Sequence, residues 1–384
     1  MIKVGIPKEI KPLEKRVGLT PSGVRELTGQ GIIVYYESQA GLASGYSDEE
    51  YRRSGAVISL STTELYQAAD LIKKVKEPQK TEISHLRSRH ILFSFLHLAS
   101  QEQCELVKAL MRSGCTAIGY ETLVLNNAHP LLAPMSQIAG ALGSGYAGLF
   151  RRMGFVREKK IIYPSNFIHE LELIAAKYPE CSGNFDMGQV VIWGAGVAGQ
   201  MAMKIALPCS DKLTVVEKDV TRCNEIMKID RTGRAVLNVI VPEELDVSEL
   251  SEADIFIGCA HRVGHRAEKV LTPAVLAQTS RQKKKVIIDV AVDQGGNFPE
   301  THATTYEDPL YLDSAGNLRF SVANMPSLCG RGASEALTRA SWHYTAIMAR
   351  DLRKAFKDYP ELAGAVNVER GQIQIEAVKT AHQL

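Results

Sequence analysis

The chain has 384 residues, 45 Lys and Arg against 43 Asp and Glu, a formal net charge of +2, and seven cysteines of which no two form a C-x-x-C pair. That length exceeds one ordinary core and implies two domains. The balanced charge argues against a nucleic-acid partner, the lack of a long apolar run against a membrane span, and the odd, scattered thiols against a disulfide framework or a metal site, so that a reduced, cytoplasmic protein is expected.

In chain order, Met1 to Pro7 reads as a strand (Ile2 to Ile6) and a turn, without a secretory h-region. Thr20-Pro21 supplies an N-cap and an N1 proline for a helix stopping near Gly29 or Gly31. Ile32 to Tyr36 predicts the next strand, and Ser47-Asp48-Glu49-Glu50 predicts a capping box. Strands recur at Asp70 to Val75, His90 to Leu96 and Thr116 to Tyr120, and this alternation with helical stretches predicts a parallel sheet. The small and apolar residues from Ser136 to Met153 suit a connecting helix. Val190 to Trp193 then runs into Gly194-Ala195-Gly196-Val197-Ala198-Gly199, followed by helix-forming Gln200 to Lys204 and a strand, Lys212 to Glu217, that ends in a carboxylate. Later strands are expected at Ala253 to Gly258, Val286 to Val290 and Phe320 to Ala323, before a helical stretch from Ala333 to Lys357. Lys283-Lys284-Lys285 reads as a solvated entry to a strand.

The expected fold class is α/β, with two Rossmann-like, doubly wound parallel-sheet domains and a cleft between them that holds substrate. Residues 1–135 and 330–384 form a discontinuous substrate domain, and residues 136–329 a dinucleotide-binding domain.

The order strand, Gly-x-Gly-x-x-Gly, helix, strand, acid is a dinucleotide site. Gly194 permits the tight turn, Gly196 lets backbone approach a pyrophosphate, and Gly199 lets the helix pack closely with its N-terminus toward the phosphates. Glu217 stands where a carboxylate accepts hydrogen bonds from ribose hydroxyls, which favours NAD. Four further residues stand at or beyond the carboxyl ends of strands, where open parallel sheets bind ligands. They are Arg16, Lys76, His97 and Asp293. Each has a structural alternative: Arg16 could pair with Glu14 or Glu9, Lys76 could be a solvated strand end, His97 a satisfied core imidazole, and Asp293 a turn cap before Gly295. Together they suit oxidation of an amino or hydroxy acid, since an arginine fork grips a carboxylate, a lysine polarises a carbonyl oxygen and a histidine moves protons near neutral pH.

The chain resembles the alanine dehydrogenase family, related to the cofactor-binding subunit of proton-translocating transhydrogenases and to saccharopine dehydrogenases. The segments that carry the likeness are Gly5 to Glu9, Arg16 to Pro21, Lys74 to Pro78, Phe95 to Ala99, Leu131 to Ser136, Asp293 to Gly296 and Val322 to Pro326. The resemblance implies that Arg16 and Lys76 bind substrate carboxylate and carbonyl oxygens. It makes His97 the general acid and base, with Asp293 positioning the amino group or the attacking water and Lys76 counted with them as catalytic. Met135 and Asn324 would line the site near the nicotinamide. Ser136, Gly194, Gly196, Val197, Ala198, Gly199, Glu217, Arg222 and Asn324 would contact the cofactor. The implied reaction is reversible oxidative deamination of L-alanine to pyruvate and ammonium with NAD, by a homo-oligomer, hexameric in many family members. No metal is expected.

Three segments depart from the family pattern: Phe155 to Gly188 is longer and more polar, Ala260 to Arg266 replaces an apolar loop, and Ser327 to Gly332 replaces a Ser/Thr-rich turn. Surface drift explains them, or His261, Arg262 or Arg331 reshapes the pocket for a larger or more acidic substrate. His261 and His265 as a metal pair are improbable in so arginine-rich a loop. A saccharopine-like or other reductive-condensing dehydrogenase would need room for a longer substrate arm. A transhydrogenase-type nucleotide-binding module would not need the joint set of Arg16, Lys76, His97 and Asp293.

Overall fold

The computed structural model describes residues 2–154, 156–157, 160–164, 166–180, 186–228, 235–261 and 266–383. The chain divides into two compact units, Met1–Met135 with Ser327–Leu384, and Ser136–Pro326.

In the first unit, among the described residues, eight strands form one sheet. Their order is Gln372–Ile373, Val366–Glu369, Thr116–Gly119, Ile91–Ser94, Leu71–Lys73, Val4–Ile6, Val34–Glu37 and Val57–Ser59. The strands from Thr116–Gly119 to Val57–Ser59 pair in parallel, whereas Val366–Glu369 and Gln372–Ile373 join by antiparallel pairing. Central strands buried on both faces must be apolar throughout, and Val4, Ile6, Leu71, Ile72, Leu92 and Phe93 are all fully buried. Val4–Ile6 pairs with Val34–Glu37 on one side and Leu71–Lys73 on the other. Chain order therefore reverses beside the first strand, the position at which such sheets open a ligand crevice.

The helix starts follow their signals. Ser47 accepts from the Glu50 N–H at 3.3 Å while Glu50 Oε2 accepts from the Ser47 N–H at 2.7 Å, closing the expected box. Thr20 holds the N-cap position of Pro21–Thr28 in extended geometry, but its hydroxyl makes no cap hydrogen bond and pairs with Ser22 at 2.9 Å. The helical stretch expected from Ala333 to Lys357 is two helices, Gly330–Arg350 and Leu352–Asp358. Asp351 divides them, with extended backbone and a carboxylate that caps Lys354 N–H of the second.

In the second unit, seven described strands run in the order Val236–Ile240, Ser210–Val216, Gly188–Trp193, Ile255–Gly258, Val286–Asp289, Leu318–Phe320 and Leu310–Leu312. All pairs are parallel except that of Leu310–Leu312 with Leu318–Phe320. Gly188–Trp193, the first strand of this sheet in chain order, sits between its second and fourth, so here too the order reverses beside the first strand. The strand expected at Phe320 to Ala323 lies earlier, at Leu318–Phe320. Its centre is Arg319, a fully buried guanidinium that donates to the Pro299 carbonyl at 2.6 Å and to Thr301 at 3.0 Å. Such a residue hides a buried strand from a reading based on apolar runs. Within the Phe155 to Gly188 stretch, Val156–Arg157 pairs with Lys160–Ile161, and helix Phe167–Ala176 seats Phe167 on Phe150. Phe155, like Arg262 and His265, lies outside the described residues. No described helix is long and apolar enough to cross a membrane.

Candidate functional site

In the second unit, the strand Gly188–Trp193 delivers the chain to Gly194 at φ +85°, where a Cβ would stand 2.6 Å from Ala260 Cα. A Cβ on Gly199 would fall 1.8 Å from the Gly194 carbonyl oxygen, so the helix Val197–Ala206 packs as closely as the turn permits. Gly196 is different: a Cβ there would meet nothing within 4 Å. Its missing side chain serves no protein contact and leaves a cradle at the N-terminus of a ten-residue helix, whose first N–H groups have no intrahelical acceptor. Gln200 Nε2 donates to the Ala195 carbonyl at 3.0 Å and braces the turn. The cavity beside it, about 590 Å³, is lined by Gly194, Gly196, Glu217, Arg222, His261 and Arg266, among others.

Glu217 directly follows the neighbouring strand, is 5% exposed, and accepts from Ala195 N–H at 2.7 Å and Asp219 N–H at 3.0 Å. Burial opposes its charge, yet these N–H groups and Arg222, at 3.2 Å, hold the carboxyl below the usual carboxylate range. An ionised acceptor thus faces the cavity. Ser136 lies one turn before Gly140 on the same face of Ala133–Met153, and a Cβ on Gly140 would come within 2.0 Å of the Ala198 carbonyl oxygen. That face packs on the first turn of the helix that follows the glycines. Asn324 is half-buried at φ +59°, and Asp293 is exposed in the turn Val292–Gln294 beyond the strand Val286–Asp289.

In the first unit, the order reversal gathers charge. Glu9, just beyond Val4–Ile6, accepts from Val75 N–H at 2.6 Å and Lys76 N–H at 3.4 Å, and pairs with Lys74 at 3.2 Å. Burial pushes its carboxyl up to about 7 despite Lys74. Lys74 also meets Glu82 at 2.8 Å, and these two carboxylates keep its ammonium charged although it is fully buried. Lys76 is 7% exposed, with Nζ 3.9 Å from Glu77. Arg16 is 2% exposed, and Glu14 takes its fork, Nε donating to Oε1 at 2.6 Å and Nη2 to Oε2 at 2.5 Å. Its remaining arm, Nη1, reaches Met135 Sδ at 3.1 Å. Arg16, Glu14, Glu9 and Lys8 line one cavity of about 220 Å³. His97 is half-buried at φ +49°, its ring stacked on Phe95 at 5.9 Å. The buried Glu121 carboxylate accepts from His97 N–H at 2.8 Å and Leu96 N–H at 3.2 Å and clamps this backbone.

The structure thus joins Arg16 to Met135, and the glycine turn to Glu217 and Arg222. Glu9, Glu14 and Glu121 were not singled out from sequence as parts of the site, although an acid directly after a first strand, as Glu9 is, was a readable signal. Arg331 lies over the Tyr46 ring at 4.6 Å and pairs with Glu335 at 3.3 Å, partners that account for it without a substrate. Among the described residues, no three His, Cys, Asp or Glu gather to hold a metal ion.

Two family models match the chain: alanine dehydrogenase/PNT N-terminal domain over residues 5–139, and alanine dehydrogenase/PNT C-terminal domain over residues 179–376. The alanine dehydrogenase of Halomonas elongata is 34% identical, with 100% of this chain and 97% of that protein covered. That of Methanococcus maripaludis is 32% identical over 99% of this chain and 96% of its own length. A solved L-alanine dehydrogenase superposes with a TM-score of 0.85 at 32% identity, covering 100% of this chain and 99% of that one. A transhydrogenase from Sinorhizobium meliloti shares the fold, at a TM-score of 0.74 and 21% identity over 97% of this chain and 99% of its own.

Proposed function

This chain belongs to the alanine dehydrogenase/PNT family, and we propose that it catalyses the reversible oxidative deamination of L-alanine: alanine, NAD⁺ and water give pyruvate, ammonium, NADH and a proton. The observation that carries this reading is the end-to-end likeness to alanine dehydrogenases in a chain with a nucleotide cradle at Gly196 and an ionised Glu217 facing it. NAD, when bound, supplies the hydride acceptor.

The chain's residues do the rest. Gly194, Gly196 and Gly199, with Val197 and Ala198, hold the pyrophosphate at the helix N-terminus, while Ser136 adds a hydroxyl to the phosphates. Glu217, braced by Arg222, accepts from ribose hydroxyls, and Asn324 lines the nicotinamide end. Arg16 and Lys76 bind the substrate carboxylate and carbonyl oxygen, against Met135. His97 takes a proton as the Cα hydride leaves and the C–N bond becomes an imine. It releases that proton to solvent, takes another from the water that attacks the imine, and returns it to nitrogen as the C–N bond of the carbinolamine breaks, the hydroxyl proton leaving with ammonia as ammonium. Asp293 orients that nitrogen or water. This reading assigns residues 1–135 and 330–384 to substrate and residues 136–329 to cofactor, and extends to a homo-oligomer, hexameric as the resemblance implies, in the cytoplasm.

Incubating the protein with L-alanine and NAD should yield NADH, pyruvate and ammonium in equal amounts. No NADH from L-alanine would overturn the assignment.

A further inference from the structure

Two segments leave the sheet of the second unit side by side, since Gly258 and Asp289 are in register at the ends of their strands. After Gly258 come Cys259, Ala260, His261, Arg266, Glu268 and Val270, which line the cofactor cavity. After Asp289 comes the turn that bears Asp293.

The two are bound to each other at many points. Asn297, fully buried, donates through Nδ2 to the carbonyls of Ala260 at 2.7 Å and Glu268 at 3.0 Å, and accepts through Oδ1 from Ala260 N–H at 3.0 Å. Lys269 Nζ spends its three protons on three carbonyls of the other segment, Gly295 at 2.7 Å, Gly296 at 2.9 Å and Phe298 at 2.8 Å. Ala267 N–H reaches the Gln294 carbonyl at 2.9 Å, and Val270 N–H the Asn297 carbonyl at 2.8 Å. The turn is fixed from beneath as well, because Asp289 Oδ2 accepts from Asn297 N–H, Phe298 N–H and the Thr301 hydroxyl, at 2.8, 3.2 and 2.7 Å. Ala267, Asn297 and Phe298 are buried, and the Asn297 and Phe298 N–H bonds to Asp289 are shielded from competing water, whereas the Lys269 bonds lie at or near the surface.

We propose that Asn297 and Lys269 are positioning residues that make the cavity wall and the Asp293 turn one mechanical body, so that seating the cofactor sets the place of Asp293. The inference rests on the functional reading above, which gives Asp293 its role. Ala260, Glu268 and Val270 line the cavity, and each is hydrogen-bonded directly to Asn297. A wall that rigidifies on binding carries the turn with it. Lys269 is the better residue to test, because its side chain is on the surface and its loss removes bonds without opening a core cavity.

Lys269→Met should lower kcat about tenfold, as a misplacement of a fraction of an ångström can, while the pyruvate KM, set in the first unit, stays within about twofold. Lys269→Arg, which keeps the charge and several donors, should regain most of the loss. In an Asp293→Asn background, Lys269→Met should cost nothing further, since there is then no carboxylate to misplace. A second readout is independent of turnover: saturating NADH should slow amide exchange across residues 293–298 in the unaltered protein, and much less in Lys269→Met. Equal kcat losses with and without the Asp293 carboxylate, or equal NADH protection in both proteins, would overturn the inference. A protein that binds NADH but does not turn over alanine would overturn the functional reading instead, and the exchange comparison would still decide the coupling.

Discussion

His97 stands out in the sequence because it closes an apolar run, but its backbone state was not legible there. At φ +49° it occupies the left-handed region, which costs a non-glycine residue free energy and is held here by Glu121 bonding two successive N–H groups. Glutamine suits this position, since Gln39 and Gln383 adopt φ 67° and 54° in the same chain. His97→Gln should therefore keep melting temperature and NADH affinity while turnover falls by roughly 10²–10⁴-fold. A stable variant with ordinary kcat would remove His97 from the chemistry. Arg16 makes the pair with Glu14 that its sequence neighbourhood allowed, and it also lines a cavity, where its proposed substrate role would be exercised. Removing the guanidinium would strand a buried carboxylate at a cost of about 3–5 kcal/mol, so the cleaner variant is Arg16→Lys. It keeps the charge and loses the fork, and pyruvate KM should rise steeply with NADH affinity, measured by fluorescence, unchanged. Glu217→Ser should raise the ratio of kcat/KM for NADP over NAD, because a 2′-phosphate then meets no carboxylate. A wild-type preference for NADP would contradict that role.

At the scale of elements, the central parallel strands and the glycine turn were readable from apolar runs and punctuation. The strands Val57–Ser59, Val236–Ile240, Leu310–Leu312 and Val366–Glu369 were not, being short, at or near sheet edges, or interrupted by polar residues. Burial of charge was equally invisible: Lys285, expected in a solvated strand entry, is 1% exposed with Nζ on the Ser251 and Ala253 carbonyls, and Lys74, Glu9 and Glu82 form a buried network that fixes the crossover to Lys76. That network has a pH signature. Glu9 titrates near 7 in the folded protein against an ordinary 4.5, so between these values the folded chain holds a proton that the unfolded chain has released, and stability falls as pH rises through the window. Glu9→Gln leaves Lys74 its Glu82 partner and should flatten this fall, read as urea midpoints between pH 5 and 8. Parallel profiles for the two proteins would mean that Glu9 does not titrate there.

For the whole molecule, two doubly wound sheets and the family were legible because the segments that carry the likeness are spread from Gly5 to Pro326 and occur in order. What could not be read was which groups hold the chemistry-bearing residues in place, since those contacts pair positions far apart in sequence, as Glu121 with His97 and Asn297 with Ala260 do. On the proposed function, this assembly of parts turns over alanine and pyruvate with NAD. NADH consumption in the presence of ammonium, measured against a panel of 2-oxo acids of increasing size and acidity, tests it most directly. Pyruvate should be the best acceptor by kcat/KM. A clear preference for a longer or dicarboxylic 2-oxo acid, or no ammonium-dependent consumption with any of them, would contradict the account.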